Sequence, residues 1–326
     1  MILEKFEGTI RKYRLVSRGD KILLGVSGGP DSLGMLYLFH ALSKRLGISL
    51  HIAHLDHRLR PDSRRDREFV EGLAARLKIP VTCAAVNIKQ SAKRGSLEAA
   101  ARDERFKFLF KAAKSVKADK IALGHNLDDQ AETVLMRIFR GSGLYGLSGI
   151  LPERVIYGQV IIRPLLEIRR REIESFLKRR GITPRRDATN AQEIYLRNKI
   201  RRKLLPLLER QYNPQVRRLL VNLAQGANLD YDYLDRTAER ARVRLKNKLN
   251  LQSLKRLHPA IRRLLLRKAI ARVKGDLRRL TSAHIREIED LLLKRPANSI
   301  VDLPAGVSVV KKQRLIFYRR KSRSKS

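Results

Sequence analysis

The sequence is poor in cysteine, contains no tryptophan and has few aromatic residues. A single cysteine, Cys83, among 326 residues excludes an intrachain disulfide and any Cys-x-x-Cys metal or sulfur site. No apolar run of about eighteen residues occurs, and the first residues show no signal-peptide pattern. We therefore expect a soluble, cytoplasmic protein with no membrane partner, in which Cys83 is an inert thiol in an apolar strand.

Acidic residues are scarce relative to basic ones. The chain has 72 Lys and Arg against 32 Asp and Glu, which gives a formal net charge of +40 at pH 7. Basic groups gain affinity for a polyanion by releasing its counterions, so this composition favours a phosphate-rich partner such as a nucleic acid. A generally basic, solvated surface is the alternative.

One glycine-rich turn lacks both the lysine of Walker-type loops and the Gly-x-Gly-x-x-Gly spacing of dinucleotide folds. Its sequence is Ser-Gly-Gly-Pro-Asp-Ser at 27–32, between an apolar strand at 22–26 and an amphipathic helix that ends at Gly47. Free backbone N–H groups and the positive end of a helix form an anion site at such a turn. We expect the turn to hold a phosphate and Asp31 to meet that phosphate through a cation. An ordinary strand-to-helix turn is the alternative.

Strands and helices alternate along the first half of the chain. After the first strand we predict strands at 49–54, 81–86 and 120–124, and helices at 66–77, 97–116 and 167–181, with a short amphipathic helix within 1–20. This alternation predicts an α/β fold with a parallel sheet, and ligands of such sheets bind at the carboxyl ends of the strands.

The second predicted strand runs into His54-Leu55-Asp56-His57. Imidazole and carboxylate groups are metal ligands. Beside a phosphate loop, however, the end of the neighbouring strand is where a nucleotide base and ribose would lie. Contact of His54 with adenosine is therefore favoured over a metal site or simple loop packing.

The fourth predicted strand ends at Gly124-His125-Asn126, where a helix begins. Asn126 suits the N-cap, and acids in the first turn suit the helix dipole. Glu132 lies a turn beyond Asp128 and Asp129, so carboxylates gather on one face opposite the phosphate loop. Magnesium prefers a few carboxylates together with phosphate oxygens and water, so we predict a magnesium site here.

Two further groups of arginines are candidates for phosphate contacts. Arg102 and Arg105 lie on neighbouring turns of one helix face, where either could point to a polyphosphate and neutralise charge that develops during transfer. From spacing alone, a helix-surface ion pair is the favoured interpretation. Arg197 and Arg201 lie in a later polar segment suited to phosphate or base recognition.

Together these motifs resemble those of bacterial tRNA(Ile)-lysidine synthases, a family of PP-loop ATP pyrophosphatases. The resemblance covers residues 21 to about 206 and includes, in order, the loop at 27–32, His-Leu-Asp-His-x-Leu-Arg at 54–60, Glu-Ala-x-x-Arg-x-x-Arg-Phe at 98–106, Gly-His-Asn-x-Asp-Asp-Gln-x-Glu-Thr at 124–133, Arg-Gly-Ser-Gly-Leu-x-Gly-Leu at 140–147, Ile-Arg-Pro-Leu-Leu at 162–166, Asp-x-Thr-Asn at 187–190 and Tyr-Leu-Arg-Asn-Lys-Ile-Arg at 195–201. Several are shared with other RNA-modifying PP-loop enzymes. Tyr145 stands where an aspartate is commonly found in the glycine-rich segment.

The resemblance implies an adenine nucleotide alpha hydrolase-like PP-loop domain and a ligase activity that uses ATP and Mg²⁺. ATP would adenylate the wobble cytidine of the CAU anticodon of tRNA(Ile), and L-lysine would then displace AMP from carbon 2. The product, lysidine, changes codon reading from AUG to AUA and tRNA identity from Met to Ile. A homodimer is one assembly that we consider.

The resemblance also implies a role for each matched residue. The catalytic residues would be Asp31, Arg105, Asp129, Glu132 and Arg197. The nucleotide-binding residues would be Ser27, Gly28, Gly29, Pro30, Asp31, Ser32, His54, Gly124 and His125. The metal ligands would be Asp31 and Asp129.

Three segments are predicted. Residues 1–213 form the PP-loop catalytic domain, residues 214–320 a basic, mainly helical α+β domain that binds tRNA, and residues 321–326 a disordered basic tail. In the second domain we predict helices at 216–249, 253–273 and 282–293, followed by three short strands. The alternatives to a lysidine synthase are a tRNA-thiolating PP-loop enzyme, which normally uses paired cysteines, and a non-catalytic RNA-binding relative, against which Asp31, Asp129 and Glu132 argue.

Overall fold

The computed structural model describes residues 1–56, 58, 63–87, 97–185, 196–245, 249–277 and 279–319. The chain divides into two compact units, Met1–Gln225 and Gly226–Ser326. This division falls inside one long helix, Val216–Arg244, and therefore later than the predicted boundary at 213. The reason is that Leu220 and Ala224, near the start of this helix, belong to a hydrophobic cluster of the first unit. The predicted tail, 321–326, lies outside the described residues.

The first unit contains a six-stranded sheet flanked by helices. The strands are Lys21–Gly25 (β1), Ser49–Asp56 (β2), Val81–Ala85 (β3), Lys120–Ala122 (β4), Glu153–Ile156 (β5) and Gln159–Ile162 (β6). The helices are Ile2–Lys12 (α1), Pro30–Leu46 (α2), Ser63–Leu77 (α3), Leu97–Ser115 (α4), Leu127–Phe139 (α5), Leu144–Leu147 (α6), Arg170–Arg179 (α7), Leu196–Lys199 (α8) and Leu205–Gln211 (α9), with a π-helix at Ile200–Leu204. The long helix Val216–Arg244 (α10) begins in this unit and ends in the second. No helix in the described part of the chain is long and apolar enough to cross a membrane.

The sheet has the strand order β3-β2-β1-β4-β6-β5. All neighbouring strands run parallel except β5 and β6, which confirms the predicted parallel α/β sheet. Ile22, Leu23 and Leu24 of the central strand are fully buried, as expected for a short apolar strand covered on both faces. The carboxyl ends of β1, β2, β4 and β6 consequently lie along the same edge of the sheet.

The hairpin of β5 and β6 was not predicted from the sequence. Its two strands have only four residues each, and they are joined by Tyr157 and Gly158, whose φ angles are 49° and 78°. Two consecutive positive φ angles are typical of the turn that matches the twist of a two-residue hairpin. The hairpin places β6 beside β4 and so extends the edge at which parallel sheets bind their ligands.

Helix α7 begins at Arg170, later than the predicted start at 167. The Glu172 carboxylate accepts the backbone N–H of Arg169 at 3.0 Å, which fixes the start of the helix. The glycine-rich segment at 140–147 contains the short helix α6.

The second unit combines helices with a small antiparallel sheet, as predicted. After α10 come Leu251–Arg256 (α11), Pro259–Lys274 (α12), Ser282–Leu293 (α13), Ile300–Leu303 (β7), Val307–Lys311 (β8) and Leu315–Arg319 (β9). The single helix predicted at 253–273 is two helices. The break lies at His258, whose Nδ1 accepts the N–H of Ala260 at 3.2 Å, and Pro259 begins the next helix.

The close packing of α2 and α7 gives a first testable prediction. A Cβ atom on Gly34 would lie 2.3 Å from Cγ2 of the buried Ile173, so we expect Gly34→Ala to lower the free energy of unfolding by about 1–3 kcal/mol. Gly72 serves as the control, because it lies within α3 with nothing within 4 Å of an added Cβ. Gly72→Ala is therefore expected to raise the free energy of unfolding by up to about 1 kcal/mol. Urea unfolding of the two variants measures both values, and equal stability of the pair would contradict the packing.

Candidate active site

The phosphate loop between β1 and α2 is held in shape by its own serines. The Ser32 hydroxyl accepts the backbone N–H of Ser27 at 3.1 Å and donates to the carbonyl of Gly29 at 3.0 Å. Gly28 has a φ of +84°, which only glycine adopts without strain, and its carbonyl accepts the N–H of Arg185 at 3.0 Å. Within the described residues no side chain caps α2 at Gly29, so N–H groups of its first turn are available to an anion.

The end of β4 approaches the first turn of α2 very closely. A Cβ on Gly124 would lie 3.0 Å from the carbonyl carbon of Asp31 and 3.1 Å from the backbone nitrogen of Ser32. Only glycine allows this approach without a shift of the backbone. Gly124 therefore brings His125 and Asn126 beside the phosphate loop, as expected from the strand order.

Asp31 lies in the first turn of α2 and faces the start of α5. Its Oδ1 accepts the side-chain N–H of Asn126 at 2.7 Å, and its Oδ2 lies 3.9 Å from a guanidinium nitrogen of Arg170. Burial, reinforced by the negative charge of Asp129, raises the pKa of Asp31 to about 6. Two carboxylates that repel one another in this way favour a cation between them.

Helix α5 begins with the predicted N-cap. Asn126 accepts the N–H of Asp129 at 3.0 Å, and the Asp129 carboxylate accepts the N–H of Asn126 at 3.1 Å. Asp128 differs from the prediction, because it contacts the N–H of Arg170 and the guanidinium of Arg217 rather than joining the other acids. Asp128 therefore anchors neighbouring helices.

Asp129 and Glu132 are bound by two arginines from the segment that begins at α8. Arg197 donates to Glu132 Oε2 and to Asp129 Oδ1, both at 2.8 Å. Arg201 donates to Glu132 Oε1 at 2.5 Å and to Asp129 Oδ1 at 3.0 Å. Glu132 is fully buried. Burial disfavours the charge on Asp129, but Arg197 and Arg201 outweigh it and hold the pKa of Asp129 below its usual value.

These contacts limit what the acids can do as metal ligands. Among the described residues there is no group of three or more His, Cys, Asp or Glu side chains that could hold a metal ion. Magnesium is commonly held by one or two protein carboxylates together with substrate phosphates. Asp31, beside the phosphate loop, fits such a site. Both oxygens of Glu132 already accept from arginines, and Asp129 accepts from Arg197 and Arg201 at Oδ1 and from the N–H of Asn126 at Oδ2.

His54 lies at the end of β2 with its ring buried. Its Nδ1 lies 2.9 Å from the carbonyl of Val26, and its Nε2 is buried without a hydrogen-bond partner. Since a carbonyl only accepts, Nδ1 carries the hydrogen of this contact, and Nε2 is the acceptor nitrogen of that tautomer. An exocyclic amine or a ribose hydroxyl is a suitable donor to it. His57, the second histidine of the alternative His-x-Asp-His metal site, lies outside the described residues.

In the described part of the chain, Arg105 does not form the helix-surface ion pair that its spacing favoured. Its Nε is buried without a partner, and no carboxylate pairs with it among the described residues. Burial, together with the charges of Arg102 and Arg197, lowers its pKa. His125 has an unpartnered, buried Nδ1, and burial lowers its pKa to about 3, so the ring is neutral.

The structure brings most of the predicted site residues to one edge of the sheet. Ser27, Gly28, Gly29, Pro30, Asp31 and Ser32 form the loop, and Gly124, His125, Asp129 and Glu132 follow β4. Sequence reasoning assigned no role at the site to Asn126 as the partner of Asp31, nor to Arg170 or Arg163. Arg163 directly follows β6, and its place at the end of a parallel strand was missed because the hairpin was not predicted. Asp187, Thr189 and Asn190 lie outside the described residues.

A parallel α/β sheet with this loop after β1 and carboxylates after β4 defines a PP-loop protein. The family described as "PP-loop domain" matches residues 3–208, and the family described as "TilS substrate binding domain" matches residues 249–316. The chain belongs to the tRNA(Ile)-lysidine synthase family.

Curated relatives support this assignment along most of the chain. The tRNA(Ile)-lysidine synthase of Clostridioides difficile is 38% identical over 323 residues, which cover 96% of this chain and 69% of that protein. The tRNA(Ile)-lysidine synthase of Caldanaerobacter subterraneus subsp. tengcongensis is 38% identical over 329 residues, which cover 98% of this chain and 69% of that protein.

A solved structure shows the same fold. The U34-tRNA thiolase NcsA from Methanococcus maripaludis, described with its [4Fe-4S] cluster, aligns with a TM-score of 0.59 at 20% identity and covers 69% of this chain and 77% of that one. At this identity the likeness concerns the fold alone.

The network around Glu132 gives a second prediction. Glu132→Gln removes a fully buried charge and leaves Arg197 and Arg201 facing Asp129 alone, so we expect a loss of about 3–5 kcal/mol in the free energy of unfolding. Glu71→Gln breaks an exposed pair with Arg67 and is expected to cost less than about 1 kcal/mol. Urea unfolding at pH 7 compares the two. Similar losses would show that the buried network contributes little.

The raised pKa of Asp31 gives a third prediction. Below pH 3.8 the carboxyl is protonated in both the folded and unfolded states, and above about pH 6 it is ionised in both, so folding becomes less favourable as pH rises between these values. We expect Asp31→Asn to gain stability over the wild type across this window, by at most about 3 kcal/mol. Urea unfolding between pH 4 and 7 measures the difference, with the exposed Asp103→Asn as control. A difference that does not change with pH would contradict the assignment.

Proposed function

We propose that this chain ligates L-lysine to carbon 2 of the wobble cytidine in the CAU anticodon of tRNA(Ile), with conversion of ATP to AMP and pyrophosphate. The observation that carries the proposal is 38% identity to a curated tRNA(Ile)-lysidine synthase over 96% of the chain. The geometry supports it, because a PP-loop lies beside Asp31, Asp129 and a set of arginines.

The reaction has two steps. The oxygen on carbon 2 of cytidine attacks the α-phosphate of ATP, and pyrophosphate leaves. The ε-amine of lysine then attacks carbon 2, AMP leaves with that oxygen, and the amine loses a proton. The base must be unstacked for this chemistry, which suits an anticodon loop.

The phosphate loop and His54 support the binding of ATP. Backbone N–H groups at the start of α2 suit the pyrophosphate portion, and the unpartnered Nε2 of His54 suits a donor on adenosine. Asp31, with Asp129 beside it, would hold Mg²⁺, which when bound neutralises phosphate charge. His54, Gly124 and His125 keep the nucleotide-binding assignment in this proposal.

Arg197, Asp129 and Glu132 act as a unit in this proposal. The two acids hold the guanidinium groups of Arg197 and Arg201 beside the loop, where they stabilise negative charge on phosphate and base. A lysine ammonium that approaches these acids exchanges with a guanidinium, because their oxygens already accept hydrogen bonds.

The net charge of +40 supports tRNA as the partner. The second unit carries basic helices with no predicted catalytic cluster, and we assign it to tRNA binding. Since tRNA, ATP and lysine meet in the cytoplasm, the reaction belongs there. A homodimer remains a prediction from the sequence.

A thiolating activity is the alternative within this fold. Burial, with Glu71 nearby, raises the pKa of Cys83 to about 11, so the sole thiol of the chain is protonated and a poor nucleophile at neutral pH. The lysidine reaction needs no thiol, so Cys83→Ser is expected to retain activity.

The fourth prediction tests the reaction directly. Protein, ATP, Mg²⁺, labelled lysine and a CAU-anticodon tRNA(Ile) transcript are incubated, and the nucleosides are analysed by mass. We expect lysine at the wobble cytidine with one AMP per lysine, a loss of at least about 100-fold in Asp31→Ala, and normal activity in Cys83→Ser. AMP formation without lysine transfer would indicate another nucleophile, and no AMP at all would favour an RNA-binding role.

A further inference from the structure

A group of cationic and polar side chains lies beside the site, and each has a buried nitrogen without a hydrogen-bond partner among the described residues. Arg163, which follows β6, is 5% exposed, and its Nε is buried without a hydrogen-bond partner. Its Nη1 donates to the carbonyl of Leu151 at 2.7 Å. Arg105 Nε and His125 Nδ1 are likewise buried and unpartnered.

These groups affect one another electrostatically. Burial and the charges of Arg154, Arg102 and Arg105 lower the pKa of Arg163 to about 10. His125 is affected by the negative charge of Asp129 and by the positive charges of Arg163 and Arg105. The charges that shift the pKa of Arg163 are therefore those of other arginines, which is unfavourable in the absence of a ligand.

The neighbouring arginines of the site are balanced differently. Arg197 and Arg201 are paired with Asp129 and Glu132, whereas Arg105 and Arg163 have no carboxylate partner within the described residues. A buried guanidinium with an unsatisfied N–H is costly. Such a cost is expected at a binding site, where a ligand supplies the missing anion.

The position of Arg163 separates it from the phosphate loop. Arg163 follows β6 and the loop follows β1, with β4 between them. Neighbouring strands lie about 4.8 Å apart, so the two strand ends are about 10 Å apart. Extended lysine spans roughly 7 Å from its carboxylate to its ε-amine, given bonds of about 1.5 Å. A lysine whose carboxylate is bound near Arg163 thus has its ε-amine within reach of a nucleotide at the loop.

We propose that Arg163, with Arg105 and His125 beside it, forms a subsite for the oxyanion of an acceptor substrate, distinct from the phosphate loop. The proposal rests on the proposed function. The oxyanion has two sources in that reaction: the α-carboxylate of L-lysine, which the burial and the spacing favour, and the phosphodiester beside the target cytidine. Arg163 binds the oxyanion and takes no part in proton transfer.

The experiment compares L-lysine with cadaverine, which has the same amines but no carboxylate. Rates are measured for the wild type, for Arg163→Gln and for Arg179→Gln, an exposed arginine at the end of α7 that serves as the control. For a carboxylate subsite we expect Arg163→Gln to reduce the preference for lysine over cadaverine about 10- to 100-fold, the range for a lost hydrogen bond to a charged group. The KM values for ATP and tRNA stay unchanged.

The other outcomes are distinguishable. A phosphodiester subsite predicts that Arg163→Gln raises the KM for tRNA and leaves the ratio of lysine to cadaverine unchanged. If Arg163→Gln changes neither the ratio nor the KM for tRNA, or if Arg179→Gln has the same effect, the proposal is wrong. Arg163→Lys keeps the positive charge and is expected to retain part of the preference for lysine over cadaverine. This variant tests the proposal even where Arg163→Gln does not fold.

Failure of the proposed function has a different signature. In that case the wild type transfers no lysine to the tRNA. The subsite is then tested by equilibrium dialysis of labelled lysine and of an anticodon stem-loop RNA against the wild type and Arg163→Gln. Weaker binding of either ligand by the variant supports the subsite, and equal binding of both overturns it.

Discussion

The pairing of Asp129 and Glu132 with Arg197 and Arg201 is the interaction on which the rest of the site depends. Glu132 has no exposed surface, and a lone carboxylate at this depth would be neutral or would disrupt the core. The two arginines supply its counter-charges and hold the segment of α8 and the π-helix against α5. Because α5 begins where β4 ends, the network also fixes the position of Asn126 and, through it, of Asp31.

The two sides of the site differ in how their charge is balanced. Around Glu132, two acids face two arginines within hydrogen-bonding distance. Around Arg163, positive charges act on one another, and no acid in the described part of the chain pairs with Arg163 or Arg105. The first arrangement is complete without a ligand, whereas the second is not. Substrate groups therefore complete the site on the side of β6.

The sequence revealed the features that depend on short stretches of chain. The apolar strand before the loop, the N-cap at Asn126 and the alternation of strands and helices are local patterns, and the structure contains each of them. The partners of Arg197 and Arg201 were not predictable, because Glu132 lies 65 and 69 positions earlier in the chain. The burial of Arg105 likewise depends on tertiary packing, so its spacing wrongly favoured a surface ion pair. The short strands of the hairpin gave too weak a pattern, which also concealed the place of Arg163.

The unsatisfied guanidinium groups of Arg105 and Arg163 have a consequence for the life of the protein in a cell. Any ligand that binds only the folded state shifts the folding equilibrium towards it. A folded protein with unpaired, buried positive charge gains stability when an anionic substrate pairs with that charge. Copies without substrate then open more often and are the ones exposed to proteases. We therefore expect bound substrate to protect the folded chain from proteolysis as well as to sustain its reaction.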